Sequence, residues 1–289
     1  MKAVWYEHIG AADDVLMHGN IDDPEVSDGE VLVRLRTSGI NPSDVKTRAG
    51  ARGELQFPRI IPHSDGAGNI EAVGHGVDTN RIGERVWVWN GAFGRAFGTC
   101  AEYISLPANQ AVKMPENSTF EAGACMGIPA STAYHGVFSG GSVNNKTLLV
   151  TGGAGAVGHY AIQLAKWDGA KVIATVSGPE KGLTAKEAGA DLVVNYKTDD
   201  VVQSVNDFTS GEGVDRIVEV EFGGNLNVSK QVIKTNGVIA AYGSVAVGNP
   251  ELPFYSLMFK GAIIKMYLIY IVPSEARTNI INGLTKALS

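Results

Sequence analysis

Two cysteines in 289 residues leave little room for thiol chemistry. Cys100 and Cys125 cannot build a disulfide framework or a four-thiolate zinc lobe. Both are expected to be reduced and to act as small core residues. Long apolar runs are missing too: the longest, Ile263 to Val272, is interrupted by Lys265. A helix that crosses a bilayer needs about 20 apolar residues, so no span is expected. Positive charge is also short, with 24 Lys and Arg against 30 Asp and Glu and a net charge of −6. That balance disfavours a general nucleic-acid role, because such binders carry a basic excess or patch. Lys46, Arg48 and Arg52 form a local basic cluster, read either as anion contacts or as a solvated face. Met1-Lys2-Ala3-Val4-Trp5-Tyr6 goes directly into strand-like sequence and lacks the apolar block of a signal peptide. The expectation is a soluble, cytoplasmic protein with neither nucleic-acid nor membrane partners.

Apolar residues reach 44% against 19% charged, enough to bury a sizeable core and to disfavour disorder. The 36 glycines show no collagen-like period and suit an α/β protein with many tight connections. At roughly 150 residues per domain, the length predicts two domains.

The first half reads as β structure. Val31 to Leu35, Gly83 to Trp89 and Ala101 to Ile104 are short β-branched or aromatic runs between turn clusters. Pro24, Pro42, Pro58, Pro62 and Pro107 leave little space for long helices. Near residue 119 the pattern changes. Ser118, with Glu121 three residues on, marks a helix N-terminus. From Thr147 strands and helices alternate: Thr147–Thr151, His159–Trp167, Lys171–Thr175, Ala185–Ala188, Leu192–Val194, Val201–Phe208, Arg216–Val220 and Gly237–Ala241. This is the βαβ series of a doubly wound parallel sheet.

Within that series lies Gly153-Ala154-Gly155-Ala156-Val157-Gly158. A glycine triplet alone is a weak signal. A buried strand running in, a helix running out and a second strand beyond make it a dinucleotide fingerprint. Gly153 is expected to turn the chain, Gly155 to let backbone approach a pyrophosphate, and Gly158 to let helix and strand pack closely. The helix N-terminus behind them favours the anion. An NAD site usually places Asp or Glu about 20 residues after the loop, to accept from the ribose 2′-hydroxyl. Here the second strand ends Thr175-Val176-Ser177-Gly178, with no carboxylate before Glu180. Ser177 can donate to a 2′-phosphate and Lys181 can pair with it, so the expected cofactor is NADPH.

Several separated motifs, in order, carry a family resemblance. They are Gly39-Ile40-Asn41-Pro42-Ser43-Asp44, Pro62-His63-Ser64-Asp65-Gly66-Ala67-Gly68, Gly83-Glu84-Arg85-Val86, Gly98-Thr99-Cys100-Ala101-Glu102-Tyr103, Ile128-Pro129-Ala130-Ser131-Thr132-Ala133-Tyr134 and the phosphate loop. Over nearly its whole length the chain resembles the zinc-free quinone oxidoreductase (zeta-crystallin-like) branch of the medium-chain dehydrogenase/reductase superfamily. The resemblance implies a GroES-like β-barrel catalytic domain, at 1–118 and about 272–289, and a Rossmann domain at 119–271. It also implies a cofactor cleft between them.

By the same resemblance, zinc members carry Cys where this chain has Asn41, and His where it has Ser64. Neither replacement is a usual zinc ligand. Asn41 and Asp44 are the candidate catalytic residues; Asn41 is suited to donate to a developing oxyanion, and both also suit a turn or helix cap. Lys46 falls where the family often has a cofactor-contacting Tyr. The resemblance further implies Thr132 at the nicotinamide end, Tyr196 and Lys197 beside the adenosine phosphate, Asn225 and Ala241-Tyr242-Gly243-Ser244 at strand ends lining the cleft, and Met266-Tyr267-Leu268 on the far side of the nicotinamide. The apolar edge from Ile263 to Ile271 implies pairing across a homodimer, which also hides an aggregation-prone strand. Family members usually run further, with a last helix and strand returning to the catalytic domain. This sequence ends at Leu288-Ser289 inside a helical pattern that starts near Ser274.

The implied activity is an NADPH:quinone oxidoreductase, or a related enone or enoyl reductase, working without metal or flavin. Without a Lewis acid, hydride passes most easily to an acceptor that already carries electron-withdrawing groups. Two rivals are weighed: a zinc-type alcohol dehydrogenase using His63, and a non-enzymatic, crystallin-like NADPH-binding protein.

Overall fold

A computed structural model of the chain describes residues 1–288. It divides into two compact units, Met1–Pro129 together with 284–288, and Ala130–Gly283.

The first unit holds β1 (Lys2–Trp5), α1 (Ala12–Val15), β2 (Met17–Asn20), β3 (Glu30–Gly39), α2 (Pro42–Arg48), β4 (Asp65–Val73), β5 (Arg85–Val88), β6 (Tyr103–Pro107), β7 (Ala111–Lys113) and α3 (Phe120–Gly123). β1 and β2 form a hairpin, and the other strands form an antiparallel sheet in the order β6-β3-β4-β5-β7. β3 explains the layout. Val31 and Val33 point into the core while Arg34 and Arg36 face out, the two-residue alternation of a half-buried strand. Register shifts at Leu32/Val33 and Leu35/Thr37 curl the sheet. Val31, Val33, Ile70, Val86, Ile104 and Leu106 fill the enclosed side. Each such buried aliphatic contributes roughly 1.5–3 kcal/mol.

The second unit holds α4 (Ser131–Phe138), β8 (Thr147–Val150), α5 (Ala156–Trp167), β9 (Lys171–Val176), α6 (Pro179–Glu187), β10 (Leu192–Asn195), α7 (Val201–Thr209), β11 (Val214–Glu219), α8 (Phe222–Val232), β12 (Ile233–Ala241), α9 (Phe254–Met258), β13 (Ile263–Met266) and most of α10 (Ser274–Leu288). All its strand pairings are parallel, in the order β10-β9-β8-β11-β12-β13. The order reverses between β8 and β11, the crevice where open α/β sheets bind ligands. Leu149, Ile173, Val214, Ile217 and Ile239 are fully buried along the strands and read in sequence as the apolar runs noted above. The fold is the expected α/β combination of a Rossmann sheet and a curled antiparallel sheet.

Three local expectations shift. The helix cap near residue 119 is Thr119, which accepts from the Ala122 N–H at 3.2 Å; Ser118 instead donates to the Pro115 carbonyl. The first unit runs on to Pro129 because α3 is seated on its sheet: a side chain at Gly123 would strike Ala67 and Met114. The last helix stays with the second unit as far as Gly283, which lies flat against the Tyr134 ring.

Candidate functional site

The phosphate loop joins β8 to α5. Its left-handed residue is Gly152, at φ +67°, so the sharp turn expected at Gly153 sits one residue earlier. Gly153 is a packing glycine: a Cβ there would lie 2.8 Å from Ala174 and 3.1 Å from Ile162. Its N–H donates to Thr175, tying the loop to β9. Gly158 presses on the loop itself, with a built Cβ 2.3 Å from the Gly152 carbonyl. Gly155 differs, because within 4 Å among the described residues only that same carbonyl faces it, at 3.3 Å. Gly155 is also the N-cap of α5, and no side chain among the described residues caps that helix. The first-turn N–H groups around Ala154, Ala156 and Val157 thus lack intrahelical partners and face an open backbone cradle. A pyrophosphate fits such a cradle.

At the end of β9, Lys181 Nζ donates to Ser177 Oγ at 3.0 Å. Tyr196 follows β10, its N–H bonded to the Val176 carbonyl and its ring exposed. Ser177, Lys181 and Tyr196 are therefore neighbours at one strand end, with Lys197 exposed just after them.

A buried carboxylate anchors the loop from the other side. Glu219, at the end of β11, accepts from Thr151 Oγ1 at 2.7 Å, Glu221 N at 2.8 Å and Asn225 Nδ2 at 2.8 Å. Burial pushes its carboxyl above the usual range while these donors pull it back. Thr151, the residue before Gly152, in turn accepts from the Val220 N–H. The structure thus ties the Asn225 amide to Glu219. Sequence reasoning missed Gly152, Thr151 and Glu219; a polar Thr151 closing an apolar strand was the available signal.

The ends of β12 and β13 border an open pocket of about 460 Å³ lined by Phe222, Tyr242, Ser244, Met266, Tyr267 and Leu268, among others. Ala241 is buried at its floor, and Gly243 lies against the Val220 carbonyl, with no space for a side chain. Ser244 Oγ links the Gly223 N–H to the Val247 carbonyl. Tyr267 turns inward and donates to the Thr132 carbonyl at 2.8 Å, so β13 stops at Met266 and does not run to Ile271. Met266 and Leu268 remain exposed. His135 packs edge-on against Tyr267 at 4.9 Å, and burial with Lys265 and Arg216 nearby lowers its pKa to about 4. Its ring is neutral at neutral pH. Arg216 is almost fully buried and caps the last carbonyls of α4, at Gly136 and Val137. Together Arg216 and Tyr267 fix the helix that carries Thr132.

In the first unit, Asn41 caps α2 and is buried. Its N–H donates to Asp44 Oδ2 at 2.8 Å and its side-chain Nδ2 to Asp65 Oδ2, also at 2.8 Å. Lys46 lies on the exposed face of α2. His63, in a left-handed conformation at φ +77°, shares a 2.9 Å hydrogen bond with Ser38 Oγ. Burial lowers its pKa. Among the described residues, no group of three or more His, Cys, Asp or Glu side chains is arranged to hold a metal ion.

Burial raises the Asp44 carboxyl from its ordinary 3.8 to about 6, against the pull of the Asn41 N–H and Arg52. Between about pH 4 and pH 6 the folded chain keeps a proton that the unfolded chain has released. Stability from this group is therefore present at the acid end and is lost as pH rises through 6. Asp44→Asn removes that slope. Urea midpoints of the two proteins should diverge in favour of the variant between pH 4 and pH 7; a gap independent of pH would contradict the assignment.

Comparison with known proteins places these features. Residues 27–116 match the family model described as "Alcohol dehydrogenase GroES-like domain", and 156–282 the one described as "Zinc-binding dehydrogenase". The human quinone oxidoreductase is 29% identical over 245 residues, covering 84% of this chain and 73% of that protein. The 2-methylene-furan-3-one reductase of Solanum lycopersicum is 30% identical over 239 residues, covering 79% and 62%. A mycobacterial protein solved in complex with NADPH superposes with a TM-score of 0.80 at 25% identity, covering 100% of this chain and 90% of that one. The chain belongs to the medium-chain dehydrogenase/reductase superfamily, in its quinone oxidoreductase branch. The zinc named in the second description concerns a match that lies wholly outside the segment holding Asn41 and Ser64.

Proposed function

We propose that the chain is an NADPH-dependent reductase of quinones or α,β-unsaturated carbonyls that works without a metal. The observation that carries this reading is the end of β9, where Ser177 and Lys181 stand in place of a ribose-binding carboxylate. An acid there would repel a 2′-phosphate, whereas a hydroxyl and an ammonium recognise one. NADPH supplies the hydride.

The chain's own residues do the rest. Gly155 and the first turn of α5 hold the pyrophosphate, and Ser177, Lys181 and Tyr196 surround the adenosine phosphate. Thr132, Tyr242 and Leu268 border the nicotinamide, with Ala241, Gly243, Ser244, Met266 and Tyr267 shaping that pocket. Asn41 donates to the acceptor's oxygen as negative charge grows on it, the role a preorganised amide fills best when dry. Asp44 holds the Asn41 backbone. The names and activities of the human and tomato relatives, a quinone oxidoreductase and a furanone reductase, support an acceptor of this kind. A nicotinamide-fluorescence titration tests the cofactor: NADPH should bind at least tenfold more tightly than NADH, and equal affinities would overturn the reading.

A homodimer and a cytoplasmic location complete the proposal. β13 is the outer strand of its sheet, and Ile263, Met266, Phe254, Tyr255 and Phe259 are exposed around it. Covering that edge with a second copy removes an aggregation hazard. Sedimentation should give the mass of two chains, and Ile263→Lys should shift it to one; a wild-type monomer at micromolar concentration would sink the dimer. Among the described residues Cys100 and Cys125 form no disulfide, and no helix is long and apolar enough to cross a membrane.

A further inference from the structure

Asp65 is the most deeply buried carboxylate of the first unit, only 1% exposed, and the reaction scheme above gives it no task. Three elements converge on it. It is the first residue of β4, paired in register with Gly39 at the end of β3. Its own carbonyl accepts from Thr99 Oγ1 at 2.5 Å, which fixes the backbone from which the side chain springs. Its Oδ2 accepts from Asn41 Nδ2 at the N-terminus of α2. Its Oδ1 makes no hydrogen bond of good geometry and lies against Gly127 in the π-turn Met126–Ala130, whose Ile128 N–H also acts on the carboxyl. A Cβ on Gly127 would sit 2.2 Å from that oxygen, so the turn is shaped around the carboxylate.

A carboxyl buried this deeply costs stability, and a leucine or an amide of similar size could fill the space at lower cost. What Asp65 provides is direction. An Asn side chain has a donor end and an acceptor end of nearly equal shape, and its neighbours decide which way it points. Burial pushes the Asp65 carboxyl up and the Asn41 amide pulls it back; the oxygen facing Asn41, Oδ2, accepts, so it draws the Nδ2 end of Asn41 towards itself. With the Asn41 backbone N–H held by Asp44, the amide is then fixed at two points.

We propose that Asp65 is the positioning residue for Asn41: it fixes the side-chain amide in one orientation, leaving the second Nδ2 hydrogen as the donor for an acceptor's oxyanion. The catalytic half of this proposal rests on the reductase reading above; the orientation half does not.

The experiment uses the full chain and three variants, Asp65→Asn, Asn41→Asp and the swapped pair Asn41→Asp/Asp65→Asn. NMR of the Asn41 side-chain amide needs no turnover. The hydrogen bonded to Asp65 should resonate well downfield of its ordinary Asn position in the wild type, and that extra shift should be lost in Asp65→Asn, an isosteric change. An unchanged amide pair overturns the orientation claim even if the protein reduces no acceptor at all. In turnover, Asp65→Asn should lower kcat roughly ten- to a hundredfold, the worth of one charge-assisted hydrogen bond, with NADPH affinity unchanged. The swapped pair rebuilds the amide–carboxylate bridge with its ends exchanged. It should recover the wild-type unfolding midpoint without recovering kcat, because an acceptor now stands where the donor was. Recovery of kcat by the swap, or a kcat for Asp65→Asn within twofold of wild type, would overturn the positioning role.

Discussion

Replacing Gly155 with alanine should abolish tight NADPH binding while leaving the protein as stable as before, and replacing Gly158 should damage both. The two glycines are three residues apart, yet they meet different surroundings. Gly155 has an ordinary extended φ of −75°, and a methyl group there faces a single carbonyl at 3.3 Å, which can give by a few tenths of an ångström. That methyl would occupy the open side of the cradle proposed above to hold the pyrophosphate. Losing even one charge-assisted bond there costs about 1.5–3 kcal/mol, or roughly ten- to a hundredfold in Kd. At Gly158 the added Cβ would lie 2.3 Å from the Gly152 carbonyl oxygen and 2.9 Å from two further backbone atoms. No rotamer can relieve a clash with backbone, so the loop must shift. Overpacking of this kind costs roughly 1–3 kcal/mol, more than the gain of about 1 kcal/mol from Ala over Gly inside a helix. Urea midpoints and NADPH titrations of both variants check this. A Gly158→Ala protein of wild-type stability would contradict the packing assignment, and tight NADPH binding by Gly155→Ala would contradict the site.

Lys181→Ala should weaken NADPH binding about tenfold while changing NADH binding less than twofold. The ammonium is already held beside Ser177 Oγ at 3.0 Å, so little order is lost when a phosphate arrives. Lys181 is exposed, and solvent and salt screen its charge, which puts the effect at the low end of the 1.5–3 kcal/mol typical of charge-assisted bonds. The same screening predicts that the difference between wild type and variant narrows as ionic strength rises. Equal losses for the two cofactors would remove Lys181 from the phosphate site.

The parts of this molecule that were legible in its sequence are those where one local rule decides the outcome. The strand–glycine–helix pattern around Gly153 to Gly158 needed only periodicity and the behaviour of glycine, and the parallel sheet followed from it. The direction of the cofactor preference needed only a missing acid after Val176. Division of labour among the loop glycines was less legible. Gly152 carries the positive φ because Gly153 is committed to packing on Ala174, a contact between segments some 20 residues apart that no local rule shows. Tyr267 lines the pocket at the ends of β12 and β13, but that its hydroxyl is committed to the Thr132 carbonyl is a contact between distant segments that no local rule shows. Asp65 and Glu219 look like ordinary surface carboxylates in sequence. Only the meeting of α2, β4 and the π-turn, or of β8, β11 and α8, buries them. α4 is rich in Gly, aromatic and β-branched residues and has modest helix propensity; the buried Arg216 at its end supports it from another strand.

Metal-independent hydride transfer from NADPH to a conjugated carbonyl is the step on which every catalytic role proposed above depends. Its most direct test is the rate of NADPH oxidation by purified protein across a panel of quinones and enones, after dialysis against a chelator and with metal content assayed. Acceptor-dependent oxidation should survive the chelator and be slower with NADH. Tight NADPH binding with no acceptor reduced, or turnover that returns only with stoichiometric zinc, would contradict it.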